Sequence, residues 1–163
     1  TTMSYKRFKG HATSYDVVEV GYNYRLDNVR SALGVAQLKK LDEDIDRRKV
    51  LVKRYYENLK DIDRLIVPFM GKEEDSTNYV FPVVLNESCP LDREEVRNRL
   101  SEAGIQTSVH YPSVHEFSIY SENYTKLPLT EYAARREITL PLYYSMTFEQ
   151  VDYVSNTLKE ILE

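Results

Sequence analysis

Residues 78–105 read NYVFPVVLNESCPLDREEVRNRLSEAGI, and this stretch decides the kind of fold. Asn78 to Leu85 is rich in Tyr, Val and Phe, side chains that suit a pleated, half-buried surface, so a strand is predicted there. Pro82 has no backbone N–H to give to a ladder, which points to an edge position or a bulge. Asp92-Arg-Glu-Glu95 has the spacing of a capping box and opens a helix through Leu100. Gly104 supplies a left-handed stop, and Ile105 to Tyr111 reads as a second strand. A strand, a helix and a strand in direct succession make an α+β or α/β unit.

Upstream, apolar residues keep helical spacing from Leu26 to Leu59: Leu26, Val29, Leu33 and Ala36, then Leu38, Leu41, Ile45, Val52, Tyr55 and Leu59. Asp27 or Asn28 is placed to cap the start. Such a helix would reach roughly 50 Å at about 1.5 Å per residue. That exceeds a small domain, so a bend near Lys39 to Asp42, or a helix bridging two domains, is expected. Gly34 inside it costs about 1 kcal/mol relative to Ala, and a close backbone contact is the usual reason for one. The run Asp42 to Arg48 reads as the solvated face, with acid–base pairs at helical spacing. Leu65 to Met70 is a short extended piece stopped by the turn from Gly71 to Thr77.

Downstream, Pro112 to Pro128 is a long aromatic loop, of a length that is usually functional or mobile. Thr130 to Glu137 reads as a helix and Ile138 to Leu142 as an extended segment. Thr147-Phe-Glu-Gln150 is a capping box for a last helix ending near Leu162. Tyr55, Tyr132, Tyr143 and Tyr153 are read as core. The order predicts a small α+β domain, a long helix followed by a short antiparallel or mixed sheet covered on one face. Residues 26–60 form the linking helix and 61–163 the domain. Residues 1–25 read as the edge of another domain.

With 163 residues, 42% hydrophobic and 29% charged, the chain has an ordinary globular balance. A net charge of -4 with scattered Lys and Arg argues against nucleic acid and anionic membranes as partners. No apolar run approaches the length of a membrane span. Thr1 to Lys9 lacks the apolar stretch of a secretory signal; Met3 could be a start, but the residues after it read as mid-protein sequence. Cys89 is the only cysteine, so no intrachain disulfide framework exists, and a reducing, cytoplasmic setting is expected.

Arg25, in Gly21-Tyr-Asn-Tyr-Arg25 before a helix start, offers a planar fork of donors for phosphate or carboxylate, and Asn23 adds an amide. A surface ion pair and a loop amide are the alternatives. His110 and His115 flank Tyr111-Pro112; a metal pair is disfavoured because no further His, Cys or acidic cluster has ligand spacing. Tyr111, Tyr120 and Tyr124 could stack on a base or sugar.

Three stretches together resemble the DegT/StrS-type family of pyridoxal-phosphate (PLP) dependent nucleotide-sugar aminotransferases. They are Gly21-Tyr-Asn-Tyr-Arg-Leu26 running into Ala32-Leu-Gly-Val-Ala-Gln-Leu38 and Arg47-Arg48; Gly104-Ile-Gln-Thr-Ser-Val-His-Tyr-Pro-Ser-Val-His115; and Leu140-Pro-Leu-Tyr143 with Met146-Thr-Phe-Glu-Gln-Val151. The chain has Ser113-Val114 where many members have Pro followed by Leu or Ile. The resemblance implies the small C-terminal domain of an aspartate-aminotransferase-type, fold-type-I PLP enzyme, with residues 1–25 a remnant of the large PLP-binding domain.

It further implies a homodimer in which Asn23 and Arg25 reach the PLP phosphate or substrate across the interface. His110, Tyr111 and His115 would bind the nucleotide sugar, and a structural role is the alternative for both histidines. The Schiff-base lysine would lie upstream of the segment matched here, so no catalytic residue is expected in this chain and no PLP bound to it alone. The complete enzyme would move an amino group from an amino-acid donor to a keto-sugar nucleotide, in sugar biosynthesis. A non-catalytic dimerisation or regulatory module, or a PLP sugar dehydratase relative, stays open as an alternative.

Overall fold

The computed structural model describes residues 20–22 and 24–163, of Glu73 the backbone alone, and the chain divides into two units, residues 1–37 and 38–163. In the first unit helix α1, Asn28–Leu38, is capped by Asp27, whose carboxylate accepts from the Arg30 N–H at 2.9 Å. The helix buries none of its residues; Val29 is 80% and Leu33 60% exposed. A Cβ at Gly34 would meet nothing within 4 Å, so the close approach expected there is not made among the described residues.

The expected break falls where it was placed. Helix α1 ends at Leu38, Lys39 and Lys40 turn, and α2 runs Leu41–Leu59. Asp42, Glu43 and Asp44 in its first turn complement the positive end of the helix dipole. It buries Leu51, Val52, Tyr55, Tyr56 and Leu59, a single stripe at i, i+4 and i+8. The run Asp42 to Arg48 is less solvated than expected. Arg47 donates to the Met146 carbonyl at 2.8 Å, and the Arg48–Asp44 pair is half-buried.

Helix α2 packs against the last helix, α5, Phe148–Leu162, which buries Val151, Val154, Ser155, Leu158 and Leu162. Each fully buried aliphatic side chain there contributes about 1.5–3 kcal/mol. Arg54 clamps the pair with two bonds to Asp152, at 2.7 and 2.8 Å, and Asn58 adds a third at 2.7 Å. The Thr147–Gln150 capping box is complete, with both reciprocal bonds formed. Only half of the box at α3, Arg93–Glu102, is made: Asp92 accepts from the Glu95 N–H at 2.8 Å, while the Glu95 carboxylate goes to Arg99.

The sheet has three antiparallel strands in the order β1 (Leu65–Ile66), β2 (Phe81–Leu85), β3 (Glu137–Leu140). Phe81 pairs with Leu140 and Val83 with Ile138, all buried, so this face carries the core. Strand β2 is central, not an edge, yet Pro82 is tolerated for a local reason. The Asn86 N–H donates to the Arg64 carbonyl, so alternate residues of β2 aim at β1. Pro82 belongs to that set, but β1 ends opposite Val84, so the missing N–H faces a stretch with no strand beside it.

Two further expectations are corrected. Ile105 to Tyr111 is not a strand: it touches the sheet at one bridge, Ser108 to Thr139, bonded both ways at 3.2 and 2.9 Å. Gly104, at φ +75°, turns the chain sharply out of α3, and only Ser108 reaches β3 in register. Tyr143 and Tyr153 are exposed, not core; Tyr153 reaches along the surface to donate to the Ala103 carbonyl. Tyr132 is half-buried, and Tyr55 is fully buried, stacked on Phe81 at 4.6 Å with its hydroxyl donating to the Pro141 carbonyl at 2.8 Å. Burial pushes the Tyr55 phenol well above its ordinary pKa.

Candidate functional site

Glu137, Ile138, Thr139 and Leu140 are all buried, although β3 alternates polar and apolar. Ile138 and Leu140 point to the core, so Glu137 and Thr139 share the opposite face. His110 lies against them, brought there by the Ser108 bridge. Its N–H donates to Glu137 Oε2 at 3.0 Å, and its ring Nδ1 lies 2.9 Å from Thr139 Oγ1. The Thr139 hydroxyl in turn bonds Glu137 Oε1. Beside His110 is a hollow of about 260 Å3 lined also by Tyr79, Gln106, Ser108, Thr139 and Pro141. A second hollow, about 450 Å3, shares Gln106, Ser108 and Pro141 and extends to Tyr143, Gln150 and Tyr153.

Tyr111 is exposed, its ring edge-on to His110 at 4.8 Å. His115 belongs to a different cluster, in the loop folded as 3₁₀ turns over Val114–Glu116 and Ser118–Asn123. There the buried Glu131 of α4, Pro128–Arg136, gathers the loop onto one carboxylate. Its Oε1 accepts from the Leu127 N–H at 3.0 Å and the Tyr124 hydroxyl at 3.0 Å, and lies 3.3 Å from His115 Nε2. The His115 and Tyr124 rings stack at 5.8 Å.

The Leu127 amide above all, then His115, hold the Glu131 carboxyl below its ordinary pKa, and Tyr124 is raised by donating to it. Arg135 bonds Glu116 at 2.7 Å and lowers that carboxyl too. His110 and His115 thus answer to different carboxylates, Glu137 and Glu131. Among the described residues, no three His, Cys, Asp or Glu side chains gather as a metal site requires.

Of the anion-binding residues expected near α1, Asn23 lies outside the described residues. Arg25 is exposed, following the paired rings of Tyr22 and Tyr24, 5.6 Å apart. At the helix start beside it, the Asp27 carboxylate already accepts from the Arg30 N–H. The guanidinium itself has the donor geometry a phosphate needs. Sequence reasoning missed Glu131, Glu137 and Thr139. The Glu-Ile-Thr-Leu alternation of β3 reads as a strand with a solvated polar face, so only the fold reveals the burial.

Residues 2–159 match the model of the DegT/DnrJ/EryC1/StrS aminotransferase family. The chain belongs to that family. Among curated relatives of this aminotransferase-family chain is the UDP-4-amino-4,6-dideoxy-N-acetyl-beta-L-altrosamine transaminase of Campylobacter jejuni, 32% identical over 91% of this chain and 40% of that protein. GDP-perosamine synthase of Escherichia coli O157:H7 is 33% identical over 86% of this chain and 38% of its own length.

Among solved structures, Spr1654 from Streptococcus pneumoniae in its PLP form superposes with a TM-score of 0.82 at 26% identity, covering 98% of this chain and 43% of that one. DesV of S. venezuelae, in complex with a ketimine intermediate, gives 0.80 at 27%, covering 94% and 41%. The fold is accordingly that of fold-type-I PLP sugar aminotransferases, α+β as expected. The chain spans about 40% of the length of the curated relatives it matches. Among the described residues no helix is long and apolar enough to cross a membrane.

Proposed function

We propose that this chain is the C-terminal part of a PLP-dependent aminotransferase that moves an amino group from an amino-acid donor to a keto-sugar nucleotide. The Campylobacter relative is named for a 4-amino-4,6-dideoxy sugar carried on UDP. Removing that amino group by transamination leaves a ketone at the same carbon, so a 4-keto-6-deoxy sugar nucleotide is the substrate class. The observation that carries the reading is helix α1. It lies in the matched region, yet all its apolar side chains stay outside the core, which supports a segment completed by further protein.

In this reading residues 1–25 belong with a large cofactor domain, 26–60 link it, and 61–163 form the small domain. Bound PLP would accept and return the amino group. Arg25, with Asn23, would meet its phosphate in the partner subunit of a homodimer, the guanidinium fork matching two phosphate oxygens. His110 and Tyr111, beside the hollow at Gln106 and Ser108, would orient the sugar nucleotide. His115 would act through the Glu131 cluster, which holds the loop that covers it. The Schiff-base lysine would lie outside this chain.

The test is amino transfer from L-glutamate to a UDP-linked 4-keto-6-deoxy sugar by the full-length protein, alongside borohydride reduction of this chain with PLP. Transfer by the complete protein is expected, with no pyridoxyl-lysine trapped on the 163-residue chain. A lysine trapped specifically on this chain would sink the proposal. Asn23→Ala in the complete protein should lower PLP retention more than thermal stability; equal retention would remove Asn23 from the cofactor site.

A further inference from the structure

The contacts around His110 determine which of its ring nitrogens carries the proton. Glu137 is buried and uses both carboxylate oxygens as acceptors, Oε2 for the His110 N–H and Oε1 for the Thr139 hydroxyl. The Thr139 hydroxyl donates its single proton to Oε1. Thr139 Oγ1 can then only accept, and the group 2.9 Å away is His110 Nδ1. Nδ1 must therefore be the protonated nitrogen. Ser108 Oγ, 3.4 Å from the same nitrogen, lies on the same side of the ring. Nε2 takes no partner among the described residues, and the ring lines the hollow formed with Gln106, Ser108 and Pro141.

We infer that Glu137 and Thr139 are positioning residues that lock His110 as its Nδ1–H tautomer, so that Nε2 acts as an acceptor for a hydroxyl of the bound sugar nucleotide. The relay is directional: Nδ1–H donates to the Thr139 hydroxyl and the hydroxyl donates to Glu137, leaving a lone pair at Nε2. Imidazole with nothing holding Nδ1 prefers the opposite tautomer, which would present a donor instead. A ligand hydroxyl can rotate to donate to Nε2, whereas a ketone or a phosphate oxygen cannot. The site thereby discriminates between ligand groups of similar size. Glu137 does this from outside the hollow, through the Thr139 hydroxyl, which is bonded to the ring nitrogen on one side and to the carboxylate on the other. The ligand half of the inference rests on the sugar-nucleotide reading above; the tautomer half does not.

Neutron diffraction from deuterium-exchanged crystals of the full-length protein tests the tautomer directly. A deuteron on His110 Nδ1 and none on Nε2 is expected. Thr139→Val, which keeps the shape of the side chain, should move the deuteron to Nε2, and Thr139→Ser should return it. A bare Nδ1, or deuterons on both nitrogens of the unmodified protein, would overturn the inference. In steady-state assays with a UDP-linked 4-keto-6-deoxy sugar, Thr139→Val should raise KM about tenfold, the worth of one desolvated hydrogen bond, with little change in kcat. Thr139→Ser should restore it.

An unchanged KM with the tautomer confirmed would refute the ligand contact at Nε2. Nδ1–H with no turnover of any UDP-linked keto sugar would leave the lock standing and take the sugar-nucleotide reading down with the ligand contact. Comparing UDP alone with the UDP-linked sugar separates the two sources of hydroxyl. Loss of affinity for both on Thr139→Val assigns the ribose, and loss for the sugar form alone assigns the hexose.

Discussion

Replacing Tyr55 by Phe removes one oxygen from the middle of the core and leaves the ring, which makes it a clean measure of how β3 is tied to α2. The hydroxyl donates to the Pro141 carbonyl at 2.8 Å, just past the end of β3. Pro141 is only half-buried, so its freed carbonyl can be partly satisfied by water, and the loss should stay near the net worth of one hydrogen bond, about 1 kcal/mol. In a chain of this size that is about 3 °C in Tm.

Tyr55→Leu takes away more: the stack on Phe81, 4.6 Å between ring centres and nearly parallel, as well as packed volume. It should cost about 3 kcal/mol, or about 9 °C. Scanning calorimetry on the purified chain, with near-ultraviolet circular dichroism as a second probe, separates the two. The pH dependence supplies an internal check. Burial raises the folded-state pKa of Tyr55, so its neutral form's contribution is complete below the unfolded value and is lost as pH rises. The gap between wild type and Tyr55→Phe should therefore narrow above about pH 10. A Tyr55→Phe chain as stable as wild type, or as unstable as Tyr55→Leu, would refute the assigned bond.

Glu131 should make the loop over residues 113–127 acid-sensitive. Its folded pKa is depressed, so its stabilising contacts are present above the ordinary carboxylate value and are lost as pH falls through the lower, folded one. The protection factor of the Leu127 amide should fall across that window, and Glu131→Ala should show low protection at every pH; protection that ignores pH would contradict this. Thr147→Ala should remove the side-chain bond that caps α5, from the Gln150 N–H to the Thr147 hydroxyl, and cost about 1 kcal/mol, read as a shift in the urea midpoint with unchanged slope.

Local chemistry in the sequence was enough to place the helices and to find their ends. The break at Lys39–Lys40, the cap at Asp27, the stop at Gly104 and the box at Thr147 each depend on a few neighbouring residues, and each is found where the residues put it. The sheet was less legible because its pairing is set by residues far apart in the chain. Residues 105–111 have strand-like composition, yet the turn at Gly104 lets only Ser108 meet Thr139. The tyrosines failed for a related reason. Tyr143 and Tyr153 sit at spacings that suit a core, but their hydroxyls reach surface acceptors, Gln150 and the Ala103 carbonyl.

At the candidate site, His110, Tyr111 and His115 were visible as unusual residues in a marked segment. The carboxylates that govern the two histidines were not. Glu131 and Glu137 look like two more acids in an acidic chain until α4 and β3 are folded over them.

Pro82 has a consequence for how this protein behaves in a crowded solution. Where β1 stops short, the central strand borders a hollow of about 270 Å3 whose far wall is Pro68, Phe69 and Lys72 rather than a paired strand. Unpaired strand margins recruit strands from other molecules by matching donor to acceptor. A residue that cannot donate interrupts that match at its midpoint, so an approaching strand would lose a bond where it most needs one. The imino acid that looked out of place in a central strand leaves no donor there for the strand of a neighbouring copy to pair with.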